Sequence, residues 1–164
     1  MGAKIYATFP YDWNTARIFH EFLCGQWILR RCIPKKAIFH GDASFEQQAK
    51  DSLLYKESGK LEIKNGPVLD AHRQFEYRLV DDQIHILYAD GPESGTVLHE
   101  LSFYPVPASN VKLSARHVHI CGHDKYDLTF LILDNNYFNS CYNIRGPEKN
   151  YRIITYYNRK IRVS

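Results

Sequence analysis

Apolar positions along the chain follow two periods. From Asn14 to Leu23 they recur at helical spacing, with Ile18, Phe19, Phe22 and Leu23 on one face and Asp12 or Asn14 placed to cap the first turn. From Gly25 onward the period shortens to two, in short runs rich in Ile, Val, Tyr and Phe bounded by Gly, Pro, Asn and Asp. This alternation predicts strands near 26–33, 37–47, 52–57, 60–64, 72–80, 83–89, 97–104, 115–121, 126–133, 137–145 and 151–159. One short N-terminal helix thus leads into about ten strands.

The connectors carry turn chemistry: Glu57-Ser58-Gly59-Lys60, Val80-Asp81-Asp82-Gln83, Asp90-Gly91-Pro92, Gly122-His123-Asp124 and Gly146-Pro147. Links this short join antiparallel neighbours, since a parallel pair needs a crossover of roughly a dozen residues. The expected fold is all-β, an antiparallel up-and-down sheet that closes into a barrel, because closure removes exposed edges. No repeat, linker or compositional break divides the chain, so one domain over 1–164 is expected.

Alternation also sorts side chains to two faces. Placing Trp27 inside places Leu29, Arg31 and Ile33 there too. Arg73, Phe75, Tyr77 and Leu79 form a second inner set, opposed by the polar His72, Gln74, Glu76 and Arg78. From Arg116 to Cys121 the pattern conflicts, because Val118 and Ile120 are the apolar pair; a polar lumen nevertheless allows His119 and Cys121 to face inward, and that orientation is expected. The lumen then holds Arg31, Arg73, Tyr77 and His119. Buried guanidinium groups need carboxylates, water or an anionic ligand beside them, and Glu57 and Asp124 are the nearest candidates. The alternative is an internal salt-bridge network that only closes the barrel.

Composition adds a little. The 12 Tyr, 9 Phe and 2 Trp in 164 residues favour strands and supply rings whose hydroxyls can meet polar groups inside a core. A net charge of +3, from 21 Lys and Arg against 18 Asp and Glu, has no concentrated basic block, so no nucleic-acid partner is expected. Arg30-Arg31, Lys35-Lys36 and the tail Arg159, Lys160 and Arg162 read as solvated surface or edge protection. Cys24, Cys32, Cys121 and Cys141 form no Cys-x-x-Cys pair, which suggests reduced thiols in a cytoplasmic protein, although an even count also permits a disulfide. Neither a secretory signal nor a membrane span is expected.

Several motifs occur in series: Gly25-x-Trp27-x-Leu29-x-Arg31, Gly41 with Phe45, Tyr55-x-Glu57-x-Gly59, Arg73-x-Phe75-x-Tyr77, His119-x-Cys121-x-x-Asp124-x-Tyr126, and Gly146-Pro-x-Lys149-x-Tyr151 with Tyr157 and Arg159. Their order resembles domain-of-unknown-function family 6314, a calycin-like family, over nearly the whole chain except Met1 to Asp12. The resemblance implies a lipocalin-like barrel and no established activity. In barrels of that kind a basic residue of the last strand packs over the Gly-x-Trp indole; Arg159 is the candidate, with Arg152 second, so Trp27 and Arg159 are expected to close the barrel.

His119, Cys121, Asp124 and Tyr126 are the densest reactive group. A Cys/His nucleophile and base oriented by Asp124 is one reading, weakened because residues two apart on a strand face stand roughly 6–7 Å apart. His117 and His119, with His99 or Asp124 as a third ligand, would suit a divalent metal, and a lone histidine would suit haem; otherwise these are polar strand residues, and no cofactor is expected. Lys149, beside Arg145, would meet a carboxylate or phosphate at the mouth, or solvent.

Three readings result. In a small-molecule-binding module, Trp27, Tyr77 and Tyr126 are walls while Arg31, Arg73 and His119 fix polar groups of an anionic or amphipathic ligand, with Glu57, Cys121, Asp124 and Lys149 also lining the site. An enzyme would use His119 as acid or base and Tyr126 or Lys149 to stabilise negative charge. An interaction domain would have a filled barrel, with no cavity of about 300 Å³ or more.

Overall fold

The computed structural model describes residues 13–161. Asp12 and Arg162, named above as a cap and as part of the basic tail, lie outside the described residues. Asn14 caps the helix: its Oδ1 accepts the Arg17 N–H at 2.9 Å. The α-helical turn α1 (Thr15–Arg17) widens at once into a π-helical segment, Ile18–Leu23. Ile18, Phe19, Phe22 and Leu23 are all buried by it.

Gly25 then turns the chain from helix to sheet at φ 120°, a value only glycine adopts without strain. This accounts for the glycine of the Gly-x-Trp step. Eleven strands follow: β1 (Gly25–Ile33), β2 (Ala37–Ala49), β3 (Ser52–Ile63), β4 (Val68–Val80), β5 (Gln83–Tyr88), β6 (Val97–Leu101), β7 (Tyr104–Pro105), β8 (Leu113–Cys121), β9 (Asp124–Asp134), β10 (Tyr137–Arg145) and β11 (Asn150–Arg159). They form one antiparallel sheet in the order β6-β5-β4-β3-β2-β1-β11-β10-β9-β8-β7. All-β, up-and-down and curled, it is the expected barrel architecture, with first and last long strands side by side and Trp27 opposite Arg159. The sheet ends at β6 and β7, and side chains of β6 and β8 meet across the gap.

Two local expectations are corrected. Glu57 to Lys60 is no turn: 52–57 and 60–64 are one continuous strand, β3. Gly59 sits opposite Gly41 of β2 because the two backbones cross too closely for side chains; a Cβ on Gly59 would stand 2.0 Å from the His40 carbonyl oxygen. The Ser-Gly pair thus bends the sheet instead of reversing it. The predicted 97–104 strand divides into β6 and the two-residue β7.

Because adjacent hairpins alternate in direction, the barrel has two different ends. At one end lie the helix and the β2–β3, β4–β5 and β9–β10 turns. At the other lie the β1–β2, β3–β4, β8–β9 and β10–β11 turns, hereafter the mouth. A column of rings rises from the helix: Phe22 against Trp27 at 5.5 Å, Trp27 edge-on to Phe138 at 4.7 Å, and Phe138 stacked on Phe130 and Tyr157 at 4.8 and 4.2 Å. Burying such rings contributes roughly 2–3 kcal/mol each, with a further increment for edge-on and offset pairs.

Candidate functional site

The column changes chemistry toward the mouth. The Tyr157 and Tyr55 hydroxyls lie 2.9 Å apart, and Tyr55 donates its hydrogen bond to Glu57. Burial pushes the Tyr55, Tyr77 and Tyr157 hydroxyls above their ordinary range, so they act as neutral donors. Glu57 is itself buried and receives Arg31 bidentately, Nη1 to Oε1 at 2.6 Å and Nη2 to Oε2 at 2.9 Å. Arg73 approaches from the facing strand, Nε to Oε1 at 2.6 Å, since β3–β4 register sets Glu57 opposite Arg73. Arg31 spends its own Nε on Thr155 Oγ1 at 2.8 Å.

Glu57 therefore accepts three hydrogen bonds, two from Arg31 and one from Tyr55, and carries a further ion pair to Arg73. Burial pushes its pKa up, but the Arg31 hydrogen bonds and the Arg73 charge outweigh that and hold it below its ordinary value. Burial likewise opposes the Arg31 charge, and Glu57 more than offsets it. Arg31 is 8% exposed and closed in on its partners. Arg73 is different: its side chain is 46% exposed.

Opposite this cluster, β8 turns His117, His119 and Cys121 to the face that buries Leu113 and Ala115, while Ile120 on the other face is 65% exposed. The apolar pair Val118 and Ile120 is thus the outer one. His99 of β6 is wholly buried and meets His117 across the gap, Nδ1 to Nδ1 at 3.0 Å; its Nε2 has no partner. Burial, and then the neighbouring His117 and His119, push the His99 pKa down to about 3, so the ring is neutral. Among the described residues no group of three or more His, Cys, Asp or Glu is arranged to hold a metal ion.

Cross-strand register brings the rim residues together, pairing His119 with Tyr126 and Cys121 with Asp124. The His119 and Tyr126 rings lie 6.3 Å apart, and Lys149 Nζ donates to the Tyr126 hydroxyl at 2.9 Å and pairs with Asp124 Oδ2 at 2.8 Å. Asp124, expected near the arginines, is therefore the partner of Lys149, so the lysine meets a carboxylate of its own chain. Cys121 is exposed at the strand end and, like Cys24, Cys32 and Cys141, is a free thiol.

Trp27 lies outside this site. It is wholly buried beneath the helix, donates Nε1–H to the Leu23 carbonyl at 3.0 Å, and carries the Arg159 guanidinium over its ring at 4.2 Å. Its place as a ligand wall is therefore corrected: the helix covers it. Arg159 also donates to the carbonyls of Phe22, Cys24 and Asn135, pinning helix to sheet. Arg152, the second candidate for that position, donates to Cys141 Sγ instead.

The lumen pocket between these clusters is small, about 50 Å³, and is lined by Arg73, Tyr55, Phe75, Tyr77, Tyr142 and Tyr157 among others. Sequence reasoning missed Tyr55, Thr155 and Tyr142. Tyr55 had a usable signal, since residue 55 shares the strand face of Glu57. Thr155 had none, because its partner lies 124 positions away.

The model of a family of unknown function (DUF6314) matches residues 23–159. No curated protein matches the chain. Among solved structures, an S-type phycobiliprotein lyase, CPES from Guillardia theta, is similar with a TM-score of 0.58 at 8% identity, over 93% of this chain and 96% of that one. A de novo designed fluorescence-activating β-barrel has a TM-score of 0.46 at 7% identity, over 85% and 95%. A redesigned β-barrel, mFAP1, solved bound to DFHBI, has a TM-score of 0.45 at 11% identity, over 90% and 100%. At such identities the likeness is one of fold. Among the described residues no helix is long and apolar enough to cross a membrane.

Proposed function

We propose, for a chain that belongs to the family of unknown function DUF6314, that the barrel binds a small anionic or amphipathic molecule through Arg73 at its mouth. The observation that carries this reading is the charge balance of the cluster: Arg31 and Arg73 share the single carboxylate of Glu57. One positive charge is left over. Arg31 is enclosed, so the surplus is offered by Arg73, which spends Nε on Glu57 and stands half exposed where the pocket begins. A guanidinium in that position suits a carboxylate or phosphate, while Phe75, Tyr77 and Tyr142 suit an apolar body. The barrel architecture is shared with a phycobiliprotein lyase, and the mouths of β-barrels are a common place for small-molecule sites. Four free cysteines fit a reducing, cytoplasmic setting.

The pocket volume favours a second reading. About 50 Å³ holds one or two waters, so a barrel that stayed in this conformation would be a filled scaffold presenting its outer face to a partner. Native mass spectrometry of the protein purified from its own host separates the two. An adduct that dissociates from the wild type and is missing from Arg73→Met, at equal melting temperature, supports ligand binding. A bare chain mass in both, with no small acid shifting the melting temperature, supports the filled barrel.

A further inference from the structure

Three of the large exposed hydrophobic side chains cluster in the β3–β4 hairpin: Ile63 at 36% exposure, Val68 at 61% and Leu69 at 44%. Singly exposed aliphatics are ordinary, but a cluster at one tip is not. Register puts Leu69 opposite Leu61 and Val68 opposite Glu62, so successive residues point to opposite faces of the ribbon and the tip is apolar on both.

The tip is also joined to its neighbour. Lys64 N–H donates to the Lys36 carbonyl at 2.8 Å, tying the β3–β4 hairpin to the β1–β2 hairpin. Between them runs an open groove of about 510 Å³ lined by Cys32, Ile33, Ile38 and Ile63 and bordered by Lys35, Lys36 and Lys64, with Glu62 as its one carboxylate. Lys35 and Lys64 stand beside the aliphatics without a matching set of acids, and the Lys36 ammonium lies over the Tyr151 ring at 4.4 Å, which leaves its charge uncancelled. Lys60, farther back, is already paired with Asp70.

We infer that this double hairpin is a docking surface for an anionic lipid bilayer. The charge is complementary: three lysines against one glutamate face a negative surface, and each lysine near such a surface contributes about 1 kcal/mol, or roughly fivefold in partition. The shape suits a bilayer as well. A fluid interface surrounds a tip and buries aliphatics on both of its faces, with lysines reaching to the headgroups. Docking through these hairpins would set the barrel mouth toward the membrane. The inference stands on the exposed tip and does not depend on a ligand in the lumen.

Flotation of the full chain with vesicles tests it. The protein is expected to float with phosphatidylcholine vesicles containing phosphatidylserine, weakly with phosphatidylcholine alone, and less as salt is raised. Val68→Asp with Leu69→Asp should lower the partition at least about tenfold, and each of Lys35→Gln, Lys36→Gln and Lys64→Gln about fivefold. All five positions are exposed or at the turn, and unchanged melting temperatures would confirm intact folding. Arg73→Met should leave flotation unchanged, which keeps this result separate from that of the lumen. Absence of flotation with the anionic vesicles, or variants that float as well as the wild type, would overturn the inference. So would a dimer or a stable protein complex abolished by the aspartate pair while vesicle binding is absent.

Discussion

Trp27 and Arg31 lie four residues apart on the same face of β1, yet one stands at the base of the barrel and the other near its mouth. Trp27 satisfies its indole N–H with a helix carbonyl and surrounds itself with Phe22, Phe138 and the Arg159 guanidinium, itself anchored to backbone oxygens. Arg31 satisfies its charge with one carboxylate that a second guanidinium also uses. Around Trp27 the base is locally complete, since the indole N–H and the Arg159 guanidinium both end on backbone carbonyls. The mouth is balanced only as a group, and it leaves Arg73 half exposed. An inward cation is therefore a stabilising cap where backbone carbonyls surround it and is left partly uncompensated where carboxylates are too few.

The most severe way to break this contrast is at Glu57. Glu57→Ala leaves Arg31 buried without a counter-charge and is expected to cost about 3–5 kcal/mol in urea unfolding, while Arg31→Met combined with Glu57→Met should recover most of that loss. Trp27→Ala removes the centre of the base and should cost a similar roughly 3–5 kcal/mol without any change in ligand affinity. If the double variant is no better than Glu57→Ala alone, the cluster is not the unit described above.

An acid titration gives an intermediate effect. His99 is neutral in the fold with its pKa near 3, against 6.5 in the unfolded chain, so the unfolded state binds the extra proton between those values. Stability is unaffected above pH 6.5 and falls as pH drops toward 3, by on the order of 3 kcal/mol at pH 4. The depressed Glu57 carboxyl adds loss of the same sign below its unfolded value of 4.5. His99→Phe should flatten the unfolding free energy from pH 6.5 to about 5 and leave the steeper acid limb of Glu57 in place. Gly59→Ala tests the sheet bend between the two ends and should cost roughly 1–3 kcal/mol, because its methyl meets the His40 carbonyl. The smallest change in stability is expected for Arg73→Met, whose exposed side chain is free to leave the cluster; a melting temperature within a degree or two of wild type, with ligand binding lost, would place the surplus charge where the mouth needs it.

Much of this was legible from alternation alone. Helix, strands and the faces carrying Trp27, Arg31, Arg73 and Tyr77 follow from local spacing, and the Gly25 turn follows from a backbone angle that only glycine tolerates. The Glu57–Lys60 segment was not legible, because Ser-Gly has the same composition whether it reverses a chain or lets two strands cross. On β8 polarity pointed the wrong way: the histidines face in because His99 and Tyr126 await them, and Ile120 faces out at the open end of the barrel.

By itself the chain's pattern determined a helix-led, curled antiparallel barrel and placed two arginines inside it, because side-chain direction depends only on neighbouring residues. Tertiary structure alone decided which carboxylate serves them and which arginine stays available. Glu57 rather than Asp124 meets the pair, since register sets Glu57 opposite Arg73, the long Arg31 side chain reaches Glu57 from β1, and Asp124 goes to Lys149. It also decided how little space remains: the Tyr55, Tyr77 and Tyr157 rings from three strands converge on the same axis, a sum over distant positions that no local pattern contains.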